Sequence, residues 1–289
     1  MPFEESAMSV VSTDSRVFRQ TRLENEGRGA AWVATAGRAL LRCVLGLLLP
    51  ASLFFLWQLA VKRQWLPEQI LPAPDLVWQS FKDLWDSGEL LDHLAISARR
   101  VGWGLLAGAS SGLVLGFGMG LSRTVRAYLG PTFDVISQFP VLGWIPILMI
   151  FVGIDEALKI VAISIAVVVP VAVNAQKGIA NIPRALFEVG RVYRFTPAQV
   201  VLRVVLPAAA PSLFTGLRQA VMQAWLTLVF VELLASSEGI GYLMVWGRQL
   251  AQLDLVVVGM LLIGAVGVVL DLVLRTIEAR VQRWRVAAF

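Results

Sequence analysis

Between Phe187 and Pro207 the chain reads FEVGRVYRFTPAQVVLRVVLP, which sets Glu188, Arg191, Arg194 and Arg203 among apolar runs. Charges of both signs at this spacing suit recognition of a complementary charged surface. Catalytic chemistry finds little elsewhere. The chain has one His, His93, and one Cys, Cys43. That excludes an intrachain disulfide and a Cys-based metal site, and a zinc or haem site would need partners the chain lacks. His93 reads as a polar loop residue. A phosphate-cradling loop needs Gly-Lys followed by Ser or Thr. The four lysines follow Val61, Phe81, Leu158 and Gln176, so no such motif exists. No catalytic residue and no metal ligand is assigned, and any ATP chemistry must come from another chain.

Polar groups inside apolar segments are the second set of candidates. Gln138, Gln223, Trp225 and Thr227 offer amides, an indole N–H and a hydroxyl that can contact an anion without fixed charge. Each can equally serve an interhelical hydrogen bond. Arg218 could attract an anion or snorkel to headgroups. Asp271 and Arg275, four apart, are expected to pair. Glu232 and the following SSEGIG, with Gly239 and Gly241, suggest an outer re-entrant loop or gate, or a plain turn.

These residues must be held by membrane spans. Hydrophobic residues make up 57% of the 289, and only 16% are charged, with a mean hydropathy of +0.72. Soluble domains are nearer a quarter charged. About 20 apolar residues cross the hydrocarbon core as a helix. Six segments qualify: 40–61, 98–121, 131–152, 157–176, 212–233 and 255–274. The second carries small-xxx-small spacings, Gly104 with Gly108 and Gly112 with Gly116, which let helices approach closely. The third is interrupted by Pro140 and Pro146, so it should face protein or a water-filled path. The fold class expected is an all-α membrane protein.

Orientation follows from Lys and Arg. With the N-terminus inside, 17 of the 25 basic residues fall on that side. Lys62, Arg63, Lys82, Arg99, Arg100, Lys159 and Arg248 fall outside, and Arg218 within the fifth span. Both termini are therefore expected in the cytoplasm. Residues 1–37, polar and without sustained period, read as a disordered cytoplasmic tail. Residues 38–280 read as the six-helix domain, with a cytoplasmic loop over 177–207, and 281–289 as a second tail. In the first outer loop LPEQILPAPD reads as extended chain and DLVWQSFKDLW as a short amphipathic helix.

The polar insert reads as two short helices. The first starts at Asn181-Ile-Pro183, with Asn as N-cap. Gly190 lowers helix propensity by about 1 kcal/mol against Ala and lets another surface approach. The second starts at Thr196-Pro-Ala-Gln199, a capping-box pattern, and Leu206-Pro207 marks re-entry to the fifth span. Such a pair is either an interfacial connector with Arg at the headgroups or a rigid knob for a cytoplasmic partner.

The spacing of this insert resembles the EAA loop of permease subunits of bacterial ABC importers: Glu-Ala-Ala, three residues, Gly, nine residues, Ile, one residue, Leu-Pro. Aligned on Glu188, this chain has Val189 and Gly190 for the two Ala, Arg194 for the Gly, Val204 for the Ile, and Leu206-Pro207. Arg194 in place of Gly puts the usual tight turn in doubt or moves the bend towards Thr196. WLPEQILPAPDLVW, GELLDHLAISARRVGWG, QFPVLGWIPILMIFVGIDEALKI and SSEGIGYLM are similar to the nitrate, taurine and alkanesulfonate branch, nearest to aliphatic sulfonate permeases.

The resemblance implies a six-helix permease with the type I ABC importer fold, working as a dimer in the bacterial inner membrane. It implies two cytoplasmic ATPase subunits, which bind ATP and Mg, and a periplasmic substrate-binding protein. Phe187, Glu188, Gly190, Arg191 and Arg194 would then form the coupling helix that docks the ATPase. Gln138, Gln223, Trp225 and Thr227 are expected on the translocation path. The cargo implied is a small organic anion, an aliphatic sulfonate, with taurine or nitrate as alternatives. A stand-alone secondary transporter would show inverted repeats with midplane charges, and no clear repeat is found. A membrane enzyme is disfavoured by one His, one Cys and no clustered carboxylates in the spans. Nucleic acid is not an expected partner.

Overall fold

The structure is a computed structural model that describes residues 45–67 and 70–281. The tail expected over 1–37, the first residues of the first span, and residues 282–289 lie outside the described residues. The chain divides into two units, Met1–Glu68 and Gln69–Phe289.

In the first unit, α1 (Leu45–Lys62) is apolar all round. Leu47, Leu49, Leu53 and Phe55 are all exposed. A helix with no polar face is what lipid accepts. Its end is closed by Gln64 in the left-handed region (φ 51°). Trp65 N–H donates to Ala60 O and Gln64 N–H to Val61 O, the Schellman pattern.

The second unit contains α2 (Pro74–Asp86), α3 (Glu89–Leu121), α4 (Arg123–Ile136), α5 (Val141–Val152), α6 (Glu156–Ala180), α7 (Arg184–Val192), α8 (Pro197–Val200), α9 (Leu206–Ala235), α10 (Ile240–Gln249) and α11 (Leu253–Val281), with no strand among the described residues. The helix α6 is the hub. Along α3 a stripe of Gly104, Gly108, Gly112, Gly116 and Gly120 lies directly on α6. A Cβ on Gly108 would stand 2.5 Å from Ser164 O, and one on Gly116 2.6 Å from Ala172 O. The two helices run parallel, since successive glycines meet Ile163, Val167, Val171, Ala175 and Ile179 in order. The small-residue spacing read from the sequence is this seam, and it extends one glycine beyond Gly116. On the other side α9 runs antiparallel: Gly216 faces Asn174 and Pro170, and Gly178 faces Ser212. Ile163, Val167, Val171, Ala220, Ala224, Trp225 and Leu228 fill the seam between them.

Among the described residues, five helical stretches are long and apolar enough to cross a membrane, and α4 with α5 makes a sixth only as a pair bent by 94°. The expected third span, 131–152, is thus two helices. Pro140 stands at the break as the N-cap of α5, because a proline removes a backbone donor and disfavours helix in the residue before it. The second span begins at Glu89 rather than residue 98, so His93 is helical. The amphipathic helix expected in the outer loop is present as α2. Its Val77, Ser80 and Leu84 are buried, and Ser80 Oγ donates to Asp254 Oδ2 of α11 at 2.5 Å.

Candidate functional site: a helical knob, a polar cavity and a buried ion cluster

The knob begins where α6 ends. Asn181 is the C-cap of α6, not the N-cap of the next helix as expected; α7 starts after Pro183. Asn181 stands two residues before the actual N-cap, Pro183, and no side chain caps α7. The helix α7 closes with a Schellman motif. Arg194 adopts φ 51°, its N–H donates to Arg191 O, and Phe195 N–H donates to Gly190 O at 2.9 Å. The turn therefore stays at Arg194 and does not shift to Thr196. A left-handed non-glycine residue costs about 1–2 kcal/mol, which the two capping bonds and the Phe195 ring packed over Gly190 offset.

The second arm starts with the expected capping box: Gln199 N–H donates to Thr196 Oγ1, and Thr196 N–H to Gln199 Oε1 at 2.9 Å. It is not a separate helix. The four residues of α8 run through a π-helical turn, Val201–Val205, directly into α9. Pro207 and Pro211 lack the N–H that would continue a regular ladder, and a π turn is one way a helix absorbs such a gap. The knob is thus rooted twice. Phe187 packs with Val200 and Leu213 on Ile179, Ile182, Val205 and Ala209.

Of the five residues expected to dock the ATPase, two are not fully exposed. Gly190 is buried, with Phe195, Val200 and Val204 at 3.6–3.9 Å from where its Cβ would be. The surface that approaches it is the knob's own second arm. Phe187 is half-buried as the foot of α7. Glu188, Arg191 and Arg194 are exposed. With them the knob turns apolar groups outward: Val192 is 81% and Tyr193 71% exposed, and Val189 is also exposed. The apolar period of α7 marks an unpartnered face as well as a packed one. Arg203 stacks its guanidinium over the Phe195 ring at 5.5 Å.

The four candidate path residues do not come together. Gln138 is exposed in the turn between α4 and α5, where its Nε2 donates to Asp134 O. Trp225 is 3% exposed and donates its indole N–H to Ile263 O at 3.2 Å, joining α9 to α11. Thr227 is buried too. Both side chains are buried, and Trp225 packs in the seam beside Val167, Ala224 and Leu228. Gln223 is exposed and lines a cavity of about 650 Å³ between α6, α9 and the end of α11, with Asn174, Thr215, Arg218, Gln219 and Glu278. Arg218 does not snorkel: it pairs with Asp271 and Glu278. The expected Asp271–Arg275 pair is present at 2.8 Å.

At the far end of α6 lies a cluster that the charge tally assigned to outer loops. Arg100 is 1% exposed. Its Nε donates to Glu156 Oε2 (2.8 Å), and Nη1 donates to Glu232 Oε1 (2.6 Å) and to Glu238 O (2.7 Å). Glu232 also accepts from Ser97 Oγ and from Gly241 N–H at 2.9 Å. Ser97 Oγ in turn accepts from Ile240 N–H, and His93 Nδ1 accepts from Gly239 N–H. Lys159 reaches Glu156 at 3.1 Å. Two cations and two carboxylates balance, and every donor around Glu232 is used, which is what a buried charge requires. Gly239 has φ 104°, and a Cβ there would collide with Glu232 Oε1 and lie 2.7 Å from Arg100 Nη1. The SSEGIG segment is therefore clamped onto α3 rather than free. The signal available in sequence was a lone Glu232 inside TLVFVELLA, which needs a buried partner.

Residues 108–283 match the family of the binding-protein-dependent transport system inner membrane component. Two proteins provisionally assigned as the aliphatic sulfonates transport permease SsuC are 37% identical: one from Bacillus subtilis over 83% of this chain and 87% of its own length, one from Escherichia coli over 83% and 91%. The Escherichia coli taurine transport system permease TauC is 31% identical over 81% of this chain and 87% of its own length. Among solved structures, an inward-facing MetNI methionine ABC transporter chain is 20% identical and covers 65% of this chain and 94% of its own length. Its TM-score is 0.46, and at that level it adds no weight.

Proposed function

Because the chain belongs to the family of binding-protein-dependent transport system inner membrane components, we propose that it is the permease subunit of an ATP-driven importer for a small organic anion carrying a sulfonate group. The sulfonate and taurine relatives share that group, and the preference between them is set elsewhere, in a separate binding protein. A second permease copy, two cytoplasmic ATPase subunits and a periplasmic binding protein complete the assembly, with ATP and Mg bound by the ATPase. The knob lies on the cytoplasmic side and the Arg100 cluster on the outer side.

The observation that carries this reading is the build of the knob. It presents Val189, Val192 and Tyr193 outward beside Glu188, Arg191 and Arg194, a mixture suited to a protein groove. Its two arms leave little slack. One arm ends on the α6 terminus, and the other continues as α9 without a loop. Movement of an ATPase that grips the knob would be passed to α9 as a rigid displacement, the kind of step that alternates access.

The test is E188R in the full chain. The variant is expected to insert and purify as wild type but to lose co-purification with the partner ATPase. Intact assembly and transport in E188R would refute the docking role. The purified permease alone is expected to hydrolyse no ATP, with hydrolysis appearing only on addition of the partner.

A further inference from the structure

We infer that Arg218 is an anion subsite of the translocation path, held open to the cargo by a carboxylate, Glu278, that the cargo displaces. This deepens the sulfonate reading above and rests on it. An anion crossing a low-dielectric region needs a positive group it can reach. Arg100 and Lys159 are buried with their own carboxylates. Arg218 is one third exposed and lines the 650 Å³ cavity.

Its contacts divide into a firm half and a loose half. Nε and Nη2 both donate to Asp271 Oδ1, at 3.1 and 2.6 Å. Asp271 is itself held by Arg275 at 2.8 Å. Nη1 meets Glu278 Oε2 at 3.5 Å, the limit of a hydrogen bond. Asp271 thus fixes the plane of the guanidinium, while the edge facing the cavity has the weaker partner. Exchange of the Glu278 carboxylate for a sulfonate leaves Arg218 with the same charge balance.

The amides beside it have matching polarity. Asn174 Nδ2 donates to Pro170 O (2.8 Å) and to Gln219 Oε1 (2.9 Å). With its oxygen engaged, Gln219 has its N–H groups left to give. A sulfonate has three oxygens that only accept. Donors from Arg218 Nη1 and Gln219 fit it, and a neutral solute would have no means of displacing Glu278. Gln223 on the same wall adds a further amide.

The test uses the permease assembled with its ATPase and binding protein in liposomes, with ethanesulfonate as cargo at saturating loaded binding protein. R218Q is expected to lower the maximal uptake rate by about tenfold or more, the scale of losing a charge-assisted contact. E278Q is expected to keep the rate within about threefold, since Asp271 still orients Arg218. R218Q/E278Q is expected to stay as slow as R218Q. A purely structural ion pair predicts the reverse: both single variants impaired and the double restored. That pattern, or wild-type uptake in R218Q, overturns the inference and leaves the importer reading intact. If R218Q does not assemble, E278Q decides: a rate near wild type supports displacement, and a tenfold loss overturns it. A wild-type assembly that takes up no organic sulfonate refutes both readings.

Discussion

Replacing Glu232 by Gln removes one charge and almost no volume, so the effect isolates the buried ion cluster. The carboxylate now accepts from Arg100 Nη1 and Ser97 Oγ with one oxygen and from Gly241 N–H with the other. An amide can present only one oxygen. If that oxygen faces Arg100, its NH2 confronts the Gly241 N–H; if flipped, the NH2 confronts Arg100. Either way one donor meets another and is left unpaired in a site without solvent. Losing a hydrogen bond to a charged group costs about 1.5–3 kcal/mol, and an orphaned buried donor about 1–3 kcal/mol. The sum, about 2.5–6 kcal/mol, brackets the roughly 3–5 kcal/mol of breaking a buried ion pair. Glu238, six residues on, is the internal control. Its side chain is exposed and it serves Arg100 only through its backbone oxygen. E238Q is therefore expected to stay within about 0.5 kcal/mol of wild type. Both variants can be compared by reversible unfolding in mixed micelles, followed by helical circular dichroism. Equal stability of E232Q and E238Q would refute the reading that the cluster is a tightly satisfied charge network.

On α3, Gly108→Ala places a methyl 2.5 Å from Ser164 O, whereas Gly118→Ala meets nothing closer than Val125 at 3.6 Å. Overpacking of about 1–3 kcal/mol outweighs a helix-propensity gain of about 1 kcal/mol at Gly108, so G108A is destabilised and G118A stabilised in the same unfolding assay. Arg194→Gly relieves the left-handed backbone, for a net gain of about 0.5–1 kcal/mol after the entropy of Gly. It is expected to slow hydrogen exchange at Phe195 N–H, while R194V speeds it. In a C43S background, single cysteines at positions 188 and 238 are expected to differ towards a membrane-impermeant maleimide on spheroplasts. Position 238 reacts at once and 188 only after permeabilisation; equal reaction would overturn the proposed orientation.

What the sequence made legible were features written locally. The capping box at Thr196, the glycine seam of α3 and the amphipathic α2 each depend on residues a few positions apart, and each was read correctly. What it hid depended on distant partners. Nothing near Arg100 announces Glu156, 56 positions away, or Glu232, 132 away. Trp225 and Thr227 were expected on the path as polar groups in a span, and what the sequence did not show is that packing of α9 on α6 and α11 buries both side chains. The π turn was hidden for a similar reason. It adjusts the helical phase between a knob rooted at Val205 and a span whose close contacts begin at Ala209 and Ser212.

The same distinction changes the charge argument for orientation. A base informs topology only if it meets headgroups or water. Arg100 and Lys159 are neutralised inside the helical bundle by Glu232 and Glu156, so they drop out of the outer count of seven and leave five against 17. The asymmetry grows when the buried pairs are removed. Arg218, which stood in neither count, is likewise compensated within the bundle by Asp271 and Glu278. The charges that remain on the side of the knob are mostly exposed: Arg184, Arg191, Arg194 and Arg203 all reach the surface. Positive charge outside the bundle and balanced charge inside it are therefore two separate devices. The first carries the proposed orientation, and the second holds α3, α6 and α9 together at the end of α6 away from the knob.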